Sequence, residues 1–192
     1  MKRFSFFLTL MGLVSIMSAC ASPAQADIIN TPEPQPSATT VAAKTPDWFD
    51  MKLTDVQTGK TFTVNDYAGK VVLVETMATW CPTCLIQAGA IQRMHEALGN
   101  PDDLVSISLD VDINEDAAVL KEYASQYGLE WHLAVAPLEV TRALGNLYTA
   151  QYLNPPLVPM MIIDREGNVH HLEYGFKDAE KLQKAVEPYL KQ

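Results

Sequence analysis

Val71-Val72-Leu73-Val74-Glu75-Thr76-Met77-Ala78-Thr79-Trp80-Cys81-Pro82-Thr83-Cys84 runs from a short β-rich segment into two cysteines separated by two residues. Val71 to Thr76 suits a buried central strand. Pro82 to Leu98 predicts a helix: Leu85, Ile86, Ile91, Met94 and Leu98 fall near helical spacing, and Gly99-Asn100 ends it. The cysteines therefore stand where a strand ends and a helix begins. Unpaired backbone N–H groups and the helix dipole there favour a thiolate over a thiol. Cys81 is expected to be the exposed, low-pKa nucleophile. Cys84, one turn into the helix, is placed to attack the mixed disulfide that Cys81 forms and so release the partner. Pro82 is compatible with this start, because a backbone N–H in the first turn has no intrahelical acceptor.

Around this centre the pattern alternates. Upstream, Asp50 to Leu53 and Lys60 to Val64 flank a turn at Thr58-Gly59 and predict a β-hairpin, followed by the loop Asp66 to Lys70. Downstream come a strand over Leu104 to Leu109 and a helix capped by Asn114, with Glu115 and Asp116 in its first turn and its end at Gly128. A short strand around His132 to Ala136, a helix over Leu138 to Ala150, strands at Met160 to Asp164 and Asn168 to Tyr174, and a closing helix over Asp178 to Leu190 complete the chain. That order predicts an α/β fold with a central mixed sheet and helices on both faces. No internal repeat is seen.

The 192 residues suit one folded domain. With 23 acidic against 14 basic residues the formal charge is −9, and no basic run follows Arg3. Nothing in the chain would neutralise a row of phosphates, so nucleic acid is not an expected partner. Lys2 and Arg3, an apolar run from Phe4 to Met17, and then small residues make an export signal too short for a membrane span. Ile16-Met17-Ser18-Ala19-Cys20 resembles the lipobox of bacterial lipoproteins, with Met17 where an aliphatic residue is usual. The resemblance implies cleavage before Cys20 and acylation of its thiol, giving residues 1–19 as the signal. Cleavage near Ala24 or Ala26, which would discard Cys20, is the alternative. Residues 20–46, broken by Pro23, Pro32, Pro34, Pro36 and Pro46, predict a flexible tether, and residues 47–192 the folded domain.

Both cleavage schemes carry the chain out of the cytoplasm, where disulfides persist. If Cys20 carries lipid, Cys81 and Cys84 pair with each other or with a partner. So short a loop stabilises less than a long one, and the pair is better explained by reactivity than by stability. Cys-x-x-Cys is also half of a zinc site, but no second cysteine pair exists, and His95, His132, His170 and His171 lack zinc-finger spacing. No metal or other cofactor is expected beyond the redox-active cysteines.

Ala78-Thr79-Trp80-Cys81-Pro82-Thr83-Cys84 after its strand resembles the active site of the thioredoxin superfamily. Asp66-Tyr67-Ala68-Gly69-Lys70-Val71-Val72-Leu73-Val74 and the hairpin before it are similar to the membrane-tethered TlpA/ResA-like and redoxin branch. The resemblance runs from about Trp48 to the C-terminus. It implies a thioredoxin-like fold, catalysis by Cys81 and Cys84, and substrate contact through Trp80, Pro82 and Thr83. It also implies that Val158-Pro159 is the family's cis-proline pair, facing the cysteines and offering backbone to substrate, and that Glu75 is a buried acid relaying protons to Cys84. Burying an acid is costly, which itself marks Glu75 as a functional residue, the alternative being a carboxylate at the strand edge that reaches solvent.

The sequence departs from the family at Thr76-Met77, where Phe-Trp is common, and at Met160, where Thr is common. The implied activity is thiol–disulfide exchange on exported proteins, including apocytochromes during haem attachment, from a lipid anchor in the bacterial cell envelope, facing the periplasm or the extracellular side. A membrane or extracytoplasmic electron donor or acceptor completes it. Two other readings compete. A Cu(I) carrier would use the thiols with Met77 and Met160, though core packing also accounts for both methionines. A peroxidase of the peroxiredoxin type would need Pro at Val74 and Thr at Ala78, and has neither.

Overall fold

A computed structural model of the chain describes residues 45–191. The expected signal, Cys20 and nearly all of the Pro-rich segment lie outside the described residues. The architecture is organised around β3 (Val71–Met77), buried at every position. A strand of this kind needs partners on both edges, and it has them. β4 (Leu104–Asp110) pairs parallel to it, from Val71 opposite Leu104 to Met77 opposite Asp110. β6 (Met160–Ile163) pairs antiparallel on the other edge, with Glu75 opposite Met160. β5 (His132–Val135) and β7 (Val169–His171) close the five-stranded order β5-β4-β3-β6-β7. A separate two-stranded hairpin, β1 (Leu53–Thr54) and β2 (Thr61–Phe62), precedes the sheet. This is the expected α/β arrangement with a mixed central sheet.

Side-chain alternation splits β3 and its neighbours between two layers. Val72, Val74, Ile107, Leu109, Met161 and Ile163 pack with Trp48, Phe49, Phe62 and, from α3 (Leu138–Leu147), Val140 and Leu144. On the opposite face Val71, Leu73, Met160 and Ile162 pack under α1 (Pro82–Leu98) and α4 (Ala179–Leu190) through Ile91, Met94, Leu182 and Val186. Met77 and Leu133 pack on α2 (Ala117–Tyr127) through Leu120 and Tyr123. A buried Leu or Ile in such a layer contributes on the order of 2 kcal/mol.

Several boundaries differ from the sequence expectation, each for a local reason. The hairpin strands are two residues each, because Asp47–Asp50 and Val64–Tyr67 turn into 3-10 helices on either side. Thr63 and Asp66 form a reciprocal capping box that commits the second of these. α2 starts at Ala117 rather than near Asn114. The Asp116 carboxylate accepts from the Ala118 and Val119 N–H groups, whereas the Asn114 N–H and side chain both turn back to Asp112. α3 stops at Leu147, and two 3-10 turns, Ala150–Leu153 and Pro155–Leu157, carry the chain to β6. In α1, Ile86 points to solvent and Gln87 takes the buried position beside it.

Candidate active site

Cys81 caps α1. Its backbone is extended, and the Cys84 N–H points at its sulfur at 3.2 Å. That is the donor geometry that stabilises a thiolate at a helix N-terminus. Pro82 fills the first helical position, and Gly99, at φ 73°, closes the far end in the left-handed region. Cys81 and Cys84 are joined by a disulfide.

The expectation of an exposed Cys81 is corrected. Cys81 is 1% exposed and Cys84 2%, packed with Val56, Met77, Ala78, Leu120 and Tyr123. The cause is the turn Ala78–Trp80, which places the sulfurs on the inner side of the helix start. Trp80 (55% exposed) and Pro82 stand outside it and Thr83 is half-buried. The turn is held from the β4–α2 loop. Glu115 accepts from both the N–H and the hydroxyl of Thr79, and Asp112 accepts from the Trp80 indole at 2.5 Å. Asp110, buried at the end of β4, lies next to these acids. Burial pushes its carboxyl up to about 8, an Asp112 N–H opposes this, and Glu115 and Asp112 add to it. Asp112 itself is held below the usual carboxylate range, chiefly by the Asn114 N–H and then by the indole.

The Val158-Pro159 reading is also corrected. The described residues contain no cis peptide bond, so this bond is trans. The chain turns instead at Val158, whose φ of 48° and ψ of 58° put a β-branched residue in the left-handed region. Val158 is fully buried, its N–H donates to Pro155 O at 2.8 Å, and its carbonyl accepts from the Lys177 ammonium at 3.0 Å. Its backbone is thus engaged internally rather than open to a substrate strand. It is the turn before this segment that meets the cysteines, Pro155 O lying 3.4 Å from the Cys84 sulfur, while Pro159 O accepts from the Thr76 N–H of β3.

Glu75 is buried, 3% exposed, on the face of β3 that also carries Leu73 and Met77. Ser108 donates to one carboxyl oxygen at 2.5 Å, and the other has no partner. Burial pushes the Glu75 carboxyl up to about 7, against the opposing pull of the Ser108 hydroxyl and the Lys177 charge. Such a group exchanges a proton near neutral pH. The Trp131 indole also donates to Ser108, and Trp131 lines a cavity of about 400 Å³ beside His95 and Ser106. Met77 packs with the cysteines, while Met160 belongs to the layer under α1 and α4. The four histidines face Ser106, Tyr67, Asp164 and Tyr152, and no cluster of three or more metal-binding side chains occurs among the described residues.

The structure thus brings Cys81, Cys84, Trp80, Pro82, Thr83 and the Val158–Pro159 segment to one region, with Glu75 in the strand beneath. Sequence reasoning did not identify Ser108, Glu115, Gln87 or Lys177. Ser106 and Ser108, alternating in an otherwise apolar strand, were a signal for the first. For Lys177 no local signal exists.

Comparison with known proteins agrees with this geometry. The Bacillus thuringiensis and Bacillus anthracis proteins named thiol-disulfide oxidoreductase ResA are each 27% identical over 139 residues, 72% of this chain and 72% of theirs. Among solved structures, a thioredoxin-family thiol:disulfide interchange protein from Chlorobium tepidum superposes with a TM-score of 0.61 at 22% identity. It covers 77% of this chain and 98% of that one. A secreted Mycobacterium tuberculosis disulfide oxidoreductase gives 0.56 at 16%, covering 73% and 96%. At these identities the structures show a shared thioredoxin-like fold. The Redoxin family pattern matches residues 36–187, most of the chain, and the protein belongs to the Redoxin family.

Proposed function

We propose that this redoxin is an extracytoplasmic thiol–disulfide oxidoreductase that reduces or exchanges disulfides in exported proteins, apocytochromes during haem attachment among them. The observation that carries the reading is the Cys81–Cys84 disulfide at the N-terminus of α1, with the Cys84 N–H directed at the Cys81 sulfur. The names of the Bacillus relatives and the secreted character of the mycobacterial protein support it. So does the N-terminal sequence, in which Lys2-Arg3, the apolar run and Ile16-Met17-Ser18-Ala19-Cys20 resemble an export signal ending at a lipid site. Among the described residues no helix is long and apolar enough to cross a membrane, and on this reading attachment falls to the lipid.

In the reducing direction the Cys81 thiolate attacks one sulfur of a partner disulfide. A Cys81–partner bond forms, the partner's S–S bond breaks, and the other partner sulfur leaves as a thiolate that takes a proton. Cys84, giving its proton towards the Glu75 carboxylate, then attacks the Cys81 sulfur, re-forms the intramolecular disulfide and expels the second partner thiol. Two electrons and two protons pass to the partner, and an external dithiol donor restores the pair. Exposed Trp80, Ile86, Tyr174 and Phe176 offer the partner apolar contact. Because both cysteines are buried, the packing around Cys81 must open before a partner sulfur reaches it.

Cys81→Ser is expected to abolish insulin disulfide reduction, and Cys84→Ser to trap a Cys81-linked mixed disulfide on a non-reducing gel. Undiminished turnover in Cys81→Ser would overturn the reading. Equilibration with glutathione gives the direction: a potential near about −250 mV or lower makes the protein a reductant, and one near about −120 mV an oxidant.

A further inference from the structure

We infer that the cavity beside Trp131 receives an extended, basic segment of a polypeptide partner, which completes the edge of the sheet that β5 leaves open. That this partner is one whose disulfide Cys81 and Cys84 exchange rests on the proposed function; the binding itself does not.

β4 has seven residues, all paired to β3, yet β5 accompanies it only from Ile107 opposite His132 to Asp110 opposite Val135. Leu104–Ser106 therefore form an open edge. Backbone groups along a strand alternate in direction: Asp103 O accepts from Val71 N–H on the β3 side, and Asp110 O accepts from Ala136 N–H on the β5 side. The Leu104 carbonyl and the Ser106 N–H consequently point to the open side, where β5 does not reach to meet them. β5 itself is covered by the hairpin, through Val56 N–H to Leu133 O at 2.8 Å. The cavity of about 400 Å³ occupies the gap. Its walls come from both faces of the sheet: His95, bonded to the Ser106 hydroxyl, from the α1 side, and Val105 and His132, whose ring packs on Phe62 and Tyr67, from the other. A space that straddles an open strand edge has the place of another strand, and such an edge pairs with extended polypeptide.

The rim selects the charge of the occupant. Gln92, Glu96, Asn100 and Glu130 line the cavity, and their side chains make no hydrogen bond or ion pair with any described residue. No lysine or arginine among the described residues lines it. Burial lowers His95 and His132 from the ordinary 6.5, so at neutral pH their rings add no cation beside the two carboxylates. The formal charge of −9 for the whole chain points the same way. An added strand gains backbone hydrogen bonds at Leu104 and Ser106, and its lysine or arginine side chains gain ion pairs with Glu96 and Glu130. The cavity is separate from the cysteines. Leu104 begins β4, and Asp110, beside the acids that hold the Thr79–Trp80 turn, ends it about 20 Å away. About six extended residues span that distance, so a partner held here keeps its own cysteine within reach of Cys81 and meets it as an intramolecular reactant.

The test is nitrogen-15 NMR of the oxidised full chain, titrated with a short cysteine-free peptide of alternating valine and lysine. Saturable shifts of the Ser106 amide and the Trp131 indole, with the Trp80 indole unmoved, are expected. Glu96→Gln combined with Glu130→Gln should weaken binding about fivefold at low ionic strength, and salt at about 1 M should weaken it likewise. The valine–glutamate counterpart is expected not to bind. Equal binding of that acidic peptide, equal binding of lysine amide alone, shifts confined to the Trp80 turn, or no saturation below about 1 mM overturns the proposal. A disulfide peptide carrying the valine–lysine segment about six residues from its cysteine should be reduced by the wild type with a KM about fivefold lower than by the doubly substituted chain, and an equal KM overturns the role in exchange. If the wild type reduces neither this peptide nor insulin, the exchange reading falls instead, and the cysteine-free titration alone judges the cavity.

Discussion

At Glu75 a carboxyl sits inside the central strand with one oxygen held by Ser108 and the other unpartnered. Its folded-state pKa, pushed up to about 7, exceeds its ordinary value of 4.5. The folded chain therefore binds an extra proton between those values, and this contribution to stability is lost as the pH rises through the window. Glu75→Gln, which mimics the protonated group, is expected to match the wild type near pH 4.5. At pH 8 it should exceed it by up to about 3 kcal/mol, and urea unfolding at the two pH values checks this. A protein that keeps such a residue gives up stability at neutral pH for a proton-exchanging group in the layer beneath its cysteines.

At the scale of elements, local chemistry decides what the sequence shows. β3 was legible because a continuous apolar run has few alternatives to a central strand, and α1 because Pro82 and Gly99 mark its ends. The start of α2 was not, since Asn114 and Asp116 are both good caps by residue type and only the fold chooses between them. Asp116→Ala should lower stability by about 1 kcal/mol, and Asn114→Ala by less than about 0.5 kcal/mol, in denaturant unfolding. Ile86 and Gln87 exchange their expected places for a reason no periodicity contains: Gln87 finds its partner 90 residues away, on the backbone of Lys177. The cysteines, Glu75 and the segment before β6 could likewise be named from sequence. The burial of the cysteines depends on how α2 and the Pro155 turn pack on the pair, which is long-range packing.

For the whole molecule, the buried acids outlast the histidines as sources of pH dependence. His95, His132 and His171 are lowered by burial from 6.5, so the stability they add as the pH rises is complete within about one unit above that value. Across pH 6.5 to 8 the larger effect is that of Glu75 and Asp110, both raised, which lose stabilisation as the pH climbs. Lys177, lowered to about 8 from 10.5, acts in the opposite sense only above that range. The melting temperature is expected to fall from pH 6.5 to pH 8, read by calorimetry in matched ionic strength, and Asp110→Asn should flatten the slope.

The covered disulfide also has a consequence for the order of events during synthesis. Cys81 and Cys84 are three positions apart, and their bond closes a loop that any growing chain can close. The groups that bury it arrive much later: Leu120 and Tyr123 with α2, and Pro155 only in the last quarter of the chain. Until that last stretch is made and docks, the two sulfurs lie open to whatever oxidant or thiol surrounds the nascent polypeptide. A growing chain thus meets oxidants and thiols with its pair uncovered, whereas in the finished fold the same exchange must first open the packing that the later segments lay over it.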